Sequence, residues 1–179
     1  MFIIGIILGV LALAIVALLL MASMKPDTFS LERSVIIEAP AERIFGLIDD
    51  FRQWEGWSPW AKIDPAMKTV FAGPATGPGS SYAWEGNNKV GKGEMEITAS
   101  SSPTQVTLRL HFIKPFEATN TTEFIIEPAA SGHRVRWKMS GAQPFTSKMF
   151  AVVVDMDKMI GRDFDKGLAA MKALAESRS

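Results

Sequence analysis

The chain has no cysteine, only two histidines and one tyrosine, and no charged side chain before Lys25. Without cysteine there is no disulfide, no thiolate nucleophile and no thiolate metal site. His111 and His133 are the whole supply of side chains that titrate near neutrality. Neither has neighbours at metal-ligand spacing, and no G-x-S-x-G elbow occurs, so neither a metal, nor another cofactor, nor a catalytic triad is expected. Charge of one sign is not in excess either, since 19 Lys and Arg balance 19 Asp and Glu. No basic stretch stands out, which removes the electrostatic footprint of a nucleic-acid binder. Internal repeats and long low-complexity linkers are also missing.

What is present begins with an apolar run, Phe2 to Met24, that ends at Lys25-Pro26. As a helix it would span roughly 34 Å, enough for a hydrocarbon core of about 30 Å. A cleaved signal peptide fits less well. No basic residue precedes the run, the run is too long for an h-region, and no A-x-A site closes it. The expected organisation is a transmembrane anchor over 1–24, a tether over 25–28 and one domain over 29–179. The chain thus reads as a single-pass membrane protein attached through residues 2–24. Lys25, Arg33 and Arg43 follow the span, and their number favours a cytoplasmic domain.

Past the tether, Phe29 to Glu38 reads as a strand that Ala39-Pro40 ends. Ala41 to Asp50 places Ile44, Phe45, Leu47, Ile48 and Phe51 at helical spacing. A short helix or turn then carries Trp54, Trp57 and Trp60. Six strands follow over 67–71, 80–85, 93–99, 106–113, 119–127 and 133–140, separated by glycine- and proline-rich turns. A long helix over about 147–176 closes the chain, with an apolar stripe through Met156, Ile160, Phe164 and Leu168. Gly161 and Gly167 interrupt it, which points to close approach to the sheet or to room for a ligand. The layout is α+β: a curved antiparallel sheet around a long C-terminal helix.

Three stretches carry a resemblance. They are Ile37-Glu38-Ala39-Pro40-Ala41-Glu42-Arg43-Ile44-Phe45, then Asp49 to Trp60 (DDFRQWEGWSPW), and Met159 to Leu168 (MIGRDFDKGL) with Met171-Lys172. Together with the element order, they resemble the START-like superfamily, also called SRPBCC or helix-grip, and within it the polyketide cyclase/dehydrase branch. The resemblance spans residues 29–176. It implies a deep hydrophobic cavity between sheet and terminal helix that takes lipids, sterols, polyketides or other apolar molecules. Only some members are enzymes, and no universal catalytic residue carries over.

Strand alternation and the helix stripe choose the residues that would line such a cavity. From the strands these are Tyr82, Trp84, Met95, Ile97, Leu108, Leu110, Phe112, Phe124, Trp137 and Met139. From the helix they are Met156, Ile160 and Phe164. Trp60, Phe145, Met149 and Phe150 would form its mouth. The competing possibility is that many of these side chains simply fill a core. Trp54 and Trp57 suit packing of the small helices against the sheet.

Candidate chemistry is sparse. His111 alternates with Thr107 and Arg109 and so points away from an apolar cavity, while His133 lies in a turn and reads as solvated. Glu94 and Glu96 share an outer face, and Glu85 and Asp49 could reach a cavity mouth. Gly86 to Gly93 nearly spells a P-loop but lacks the final Ser/Thr and sits in a hairpin. Asn120-Thr121-Thr122 matches a glycosylation sequon and is set aside without an extracellular context. The sequence favours a membrane-anchored binder of a hydrophobic small molecule or lipid. A cyclase or dehydratase on a hydrophobic substrate, or a protein-interaction domain at the membrane, remain as alternatives.

Overall fold

A computed structural model describes residues 2–177. Met1, Arg178 and Ser179, at the outer ends of the expected anchor and domain, and the side chains of Phe2 and Met156 lie outside the described residues.

Helix α1 covers Phe2–Ser23, uncharged throughout and exposed along nearly its whole length. It is long and apolar enough to cross a membrane by length and composition. Among its described side chains only Leu18 and Ala22, one turn apart, are covered, and α1 packs along α3 (Phe145–Val153).

Strand β1 (Thr28–Ile37) leads to Pro40, whose carbonyl accepts from Arg43 N at 3.1 Å and Ile44 N at 3.3 Å and starts α2 (Ala41–Asp49). A proline suits this place because the first helical N–H groups have no intrahelical partner. Helix α2 buries Ile44, Phe45 and Ile48 on one face. Asp50 then caps a 3-10 helix over Phe51–Gly56 by accepting from Arg52 N at 2.9 Å.

The remaining strands are β2 (Lys68–Ala72), β3 (Ser81–Glu85), β4 (Lys92–Ser101), β5 (Gln105–Lys114), β6 (Ala118–Pro128) and β7 (His133–Ala142). They form a seven-stranded antiparallel sheet in the order β1-β7-β6-β5-β4-β3-β2. Register shifts between β4 and β5, at Lys92/Gly93 and Ile97/Ala99, bend it. Inward and outward residues alternate, so Val106 and Leu108 are buried while Arg109 is exposed.

The C-terminal stretch differs from the single helix expected over 147–176. It is two helices, α3 and α4 (Met156–Glu176), broken at Val154-Asp155. Three consecutive β-branched residues, Val152 to Val154, weaken helix propagation. Asp155 then restarts it by accepting from Lys158 N at 3.0 Å. Helix α4 packs on β1, β7, α2 and the 3-10 helix. Both of its central glycines mark close approach. A Cβ at Gly161 would enter the Arg33 guanidinium, and one at Gly167 would lie 2.8 Å from the Trp137 ring and 3.1 Å from Pro59.

Candidate functional site

Because α4 covers only one side of the sheet's concave face, the inner residues of the other strands border a cleft. Its floor is Tyr82 and Trp84 on β3, Met95 on β4, Leu110 and Phe112 on β5, Asn120 and Thr122 on β6, and Trp137 and Met139 on β7. Phe29 and Leu31 of β1, Phe51 and Trp54 of the 3-10 helix, Phe150 of α3 and Ile160 and Phe164 of α4 complete the walls. The cleft measures about 2310 Å³ and is open to solvent. That exceeds the roughly 300–1,000 Å³ of a usual small-molecule site, so a ligand would fill only part of it.

Three of the five tryptophans are fixed by indole hydrogen bonds. Trp54 Nε1 donates to the Ile48 carbonyl at 2.9 Å, Trp57 Nε1 to Leu47 at 2.8 Å, and Trp84 Nε1 to Val90 at 3.0 Å. Burial pushes the Tyr82 phenol up, and the nearby Glu55 carboxylate adds to the shift. Tyr82 therefore remains a neutral hydroxyl on the cleft wall at physiological pH. Asp64, also on the lining, is held by Ala66 N at 3.0 Å and Asn87 N at 2.7 Å, so it organises the loop before β4.

One end of the cleft is bounded by α3 and the β5–β6 turn. Phe150 is 54% exposed there, Val153 77% and Phe116 82%. Helix α3 is tied to the segment after α1. Lys148, 8% exposed, donates from Nζ to Asp27 Oδ1 at 2.5 Å, and Gln143 N donates to the Asp27 carbonyl at 2.7 Å. The Lys148 ammonium, by hydrogen bond and then by charge, holds the Asp27 carboxyl below its usual range.

The sequence profile described as polyketide cyclase/dehydrase and lipid transport matches residues 28–176. The chain belongs to this family. No curated protein matches the chain. Among solved structures, protein CV1439 from Chromobacterium violaceum aligns with a TM-score of 0.59 at 14% identity, over 86% of this chain and 100% of that one. The KanY protein (ms6282) gives 0.62 at 15%, over 84% and 99%. The di-domain ARO/CYC BexL from the BE-7585A biosynthetic pathway gives 0.61 at 14%, over 89% of this chain and 53% of BexL. At these identities the likeness is one of fold, the helix-grip fold.

Within this cyclase/dehydrase-family fold the expected lining residues divide. Tyr82, Trp84, Met95, Leu110, Phe112, Trp137, Met139, Ile160 and Phe164 border the cleft. Ile97, Leu108 and Phe124 do not; each is 0% exposed and packed in the core. They face inward as alternation requires, but where α2 and the 3-10 helix cover the sheet no space is left. At the mouth, Trp60 and Phe150 border the cleft, whereas Phe145 and Met149 do not. The latter two, one turn apart, share a face of α3 that is turned from the cleft.

The ionisable candidates lie elsewhere. His111 faces outward, with Nδ1 3.5 Å from Glu94 and Nε2 3.5 Å from Glu117. His133 is not a solvated loop residue: its half-buried Nδ1–H donates to the Ala39 carbonyl at 2.9 Å. Glu85 pairs with Lys92 at 3.0 Å, and Asp49 accepts from Ser100 Oγ at 2.7 Å inside the packed end. None of the four borders the cleft. Among the described residues, no cluster of three or more His, Cys, Asp or Glu could hold a metal ion.

Asn120 and Thr122 are cleft residues that sequence reasoning passed over. Polar side chains at these inward positions of β6 break the apolar alternation that marks Phe124 on the same strand.

Proposed function

We propose that this chain is a membrane-anchored binding protein for a hydrophobic small molecule of lipid, isoprenoid or polyketide-like character, held between the sheet and α4. The observation that carries the reading is the cleft itself, bordered by aromatic, leucine, isoleucine and methionine side chains and not filled by them. Apolar ligand surface buried there contributes about 25 cal/mol per Å². Methionines 95 and 139 adapt to varied apolar shapes. The family's lipid transport members and the biosynthetic-pathway relative support the same class of ligand.

The anchor would be α1, with the domain following the tether on the cytoplasmic side. In support, α1 packs against α3, and α3 borders the cleft beside Phe116 and Phe150. The opening would therefore lie close to the bilayer from which an apolar ligand partitions. The cyclase or dehydratase alternative finds no support in His111, Glu85 or Asp49, which lie off the cleft.

The test is native mass spectrometry of the full chain extracted from membranes in mild detergent, beside an Ile160→Trp variant whose indole occupies the cleft. The expected result is a stoichiometric apolar adduct on the parent chain that the variant loses. An adduct retained by the variant, or no adduct at all, overturns the reading.

A further inference from the structure

Asn120 lies in the middle of β6 on the face that borders the cleft, a position where strands rarely place asparagine. It is 8% exposed, so the asparagine of the N-T-T triplet is no glycan acceptor. Its direct cross-strand neighbours are Leu110 on β5 and Gly141 on β7. Asn120 Oδ1 takes the space that a Cβ at position 141 would need, and Cε1 of Phe29 lies 3.1 Å from the same point. The glycine thus seats the carboxamide, which takes no hydrogen bond from the described residues.

Two residues along, Thr122 is 3% exposed and its hydroxyl has no partner. Diagonally across the β6–β7 pairing, Trp137 is 2% exposed and its indole N–H is unpaired as well. Buried polar groups normally find partners, and an unpaired one lowers stability. Here two such groups and the Asn120 carboxamide share one inner face, and all three residues border the cleft.

We propose that Asn120, Thr122 and Trp137 form a polar clamp that recognises an uncharged oxygen function, a hydroxyl or carbonyl, on an otherwise apolar ligand. The clamp rests on the ligand-binding reading above and narrows its chemistry. An indole N–H only donates, whereas a carboxamide and a hydroxyl donate and accept, so an alcohol or ketone oxygen satisfies the set. A carboxylate can accept from the same donors, and it is its charge that excludes it. The cationic side chains around the cleft, Lys25, Arg52, Lys62 and Lys89, are exposed, and the cross-strand neighbours of Asn120 carry no charge. An anion at the clamp would be buried without a counter-charge.

Three retinoids of matched size, all acceptors of tryptophan emission, test the clamp: retinol, retinoic acid and the hydrocarbon anhydroretinol. Each is titrated into the full chain in phosphatidylcholine nanodiscs, with partition into empty nanodiscs subtracted. Retinol is expected to bind roughly tenfold more tightly than the other two. The near-isosteric Thr122→Val variant is expected to weaken retinol roughly fivefold, leave anhydroretinol unchanged, and raise the thermal midpoint of the ligand-free protein. A merely structural hydroxyl would do the reverse, lowering the midpoint and sparing selectivity. Asn120→Ala, checked for folding by circular dichroism, is expected to erase the preference for retinol. Equal binding of retinol and anhydroretinol, tighter binding of retinoic acid, or unchanged selectivity in Thr122→Val overturns the clamp alone. Binding of none of the three overturns the clamp and the ligand-binding reading together.

Discussion

Around Trp137 the sheet, the 3-10 helix and α4 meet ring against ring. Phe164 stacks on its indole at 4.0 Å, Phe124 lies tilted at 4.9 Å and Trp57 stands edge-on at 5.6 Å, all of them 2% exposed or less. Farther along the same concave face, Phe71 is 39% exposed, and at the rim Phe150 is 54% and Phe116 82%. The residue types hardly differ between the two ends. What differs is the second layer: α2, α4 and the 3-10 helix pack on β1, β5, β6 and β7 and on the Ile97–Ser100 end of β4, while they meet β2 and β3 through Arg52 over Phe71 and Phe51 against Tyr82. Aromatic side chains hold the fold together where helices meet the sheet and are left open to the cleft where the helical layer thins.

Truncating one ring from each end tests this contrast most directly. Phe124→Ala should cost about 3–5 kcal/mol, because the surrounding rings cannot collapse into the void. Phe150→Ala should stay within about 0.5 kcal/mol. Urea unfolding of the full chain in one detergent compares the two, and equal losses would erase the distinction between packed and open ends.

A smaller effect is expected where α4 touches the sheet. Alanine normally improves a helix over glycine by about 1 kcal/mol. Gly167→Ala should instead destabilise by about 1–3 kcal/mol, because its methyl meets the Trp137 ring and Pro59. Gly161→Ala meets the far end of a long side chain, the Arg33 guanidinium held by Asp157 at 2.8 Å, rather than a ring, so its cost should be lower. A more stable Gly167→Ala protein would mean that the packed end is looser than its ring distances indicate.

The smallest effect concerns the open end. Asp27 is held below its usual carboxylate range by Lys148, so the contact between tether and α3 is complete above the ordinary carboxylate pKa. It is lost as pH falls through the lowered folded value. Hydrogen exchange over Phe145–Val153 should therefore quicken only well below about pH 4, with the packed end unaffected. Quickening already near neutrality would show that the pair does not hold α3.

The strands were legible because their alternation and turn chemistry are local. Gly86-Asn87-Asn88 between two β-branched or aromatic runs places a hairpin without help from the rest of the chain. The break at Val154-Asp155 is written in the sequence too, as three β-branched residues before a capping aspartate, but the apolar stripe runs through it without interruption. The site was less legible. Alternation correctly turned Leu108 and Phe124 inward, yet whether an inward side chain meets a helix or a void depends on elements far away in the chain. Asn120 shows the opposite difficulty, since a polar residue on an inner face makes sense only once a cleft exists beside it.

By itself, the sequence determined the uncharged apolar helix at the start, the strand and helix order, and the family to which residues 28–176 belong. Those follow from composition and short-range periodicity, which act within a few residues. Only the tertiary structure decided that α3 and α4 are separate, that three expected lining residues are core, and that an uncharged polar patch lies inside an oily cleft. Each depends on which distant segments cover the sheet, and coverage is a property of packing that no local pattern contains.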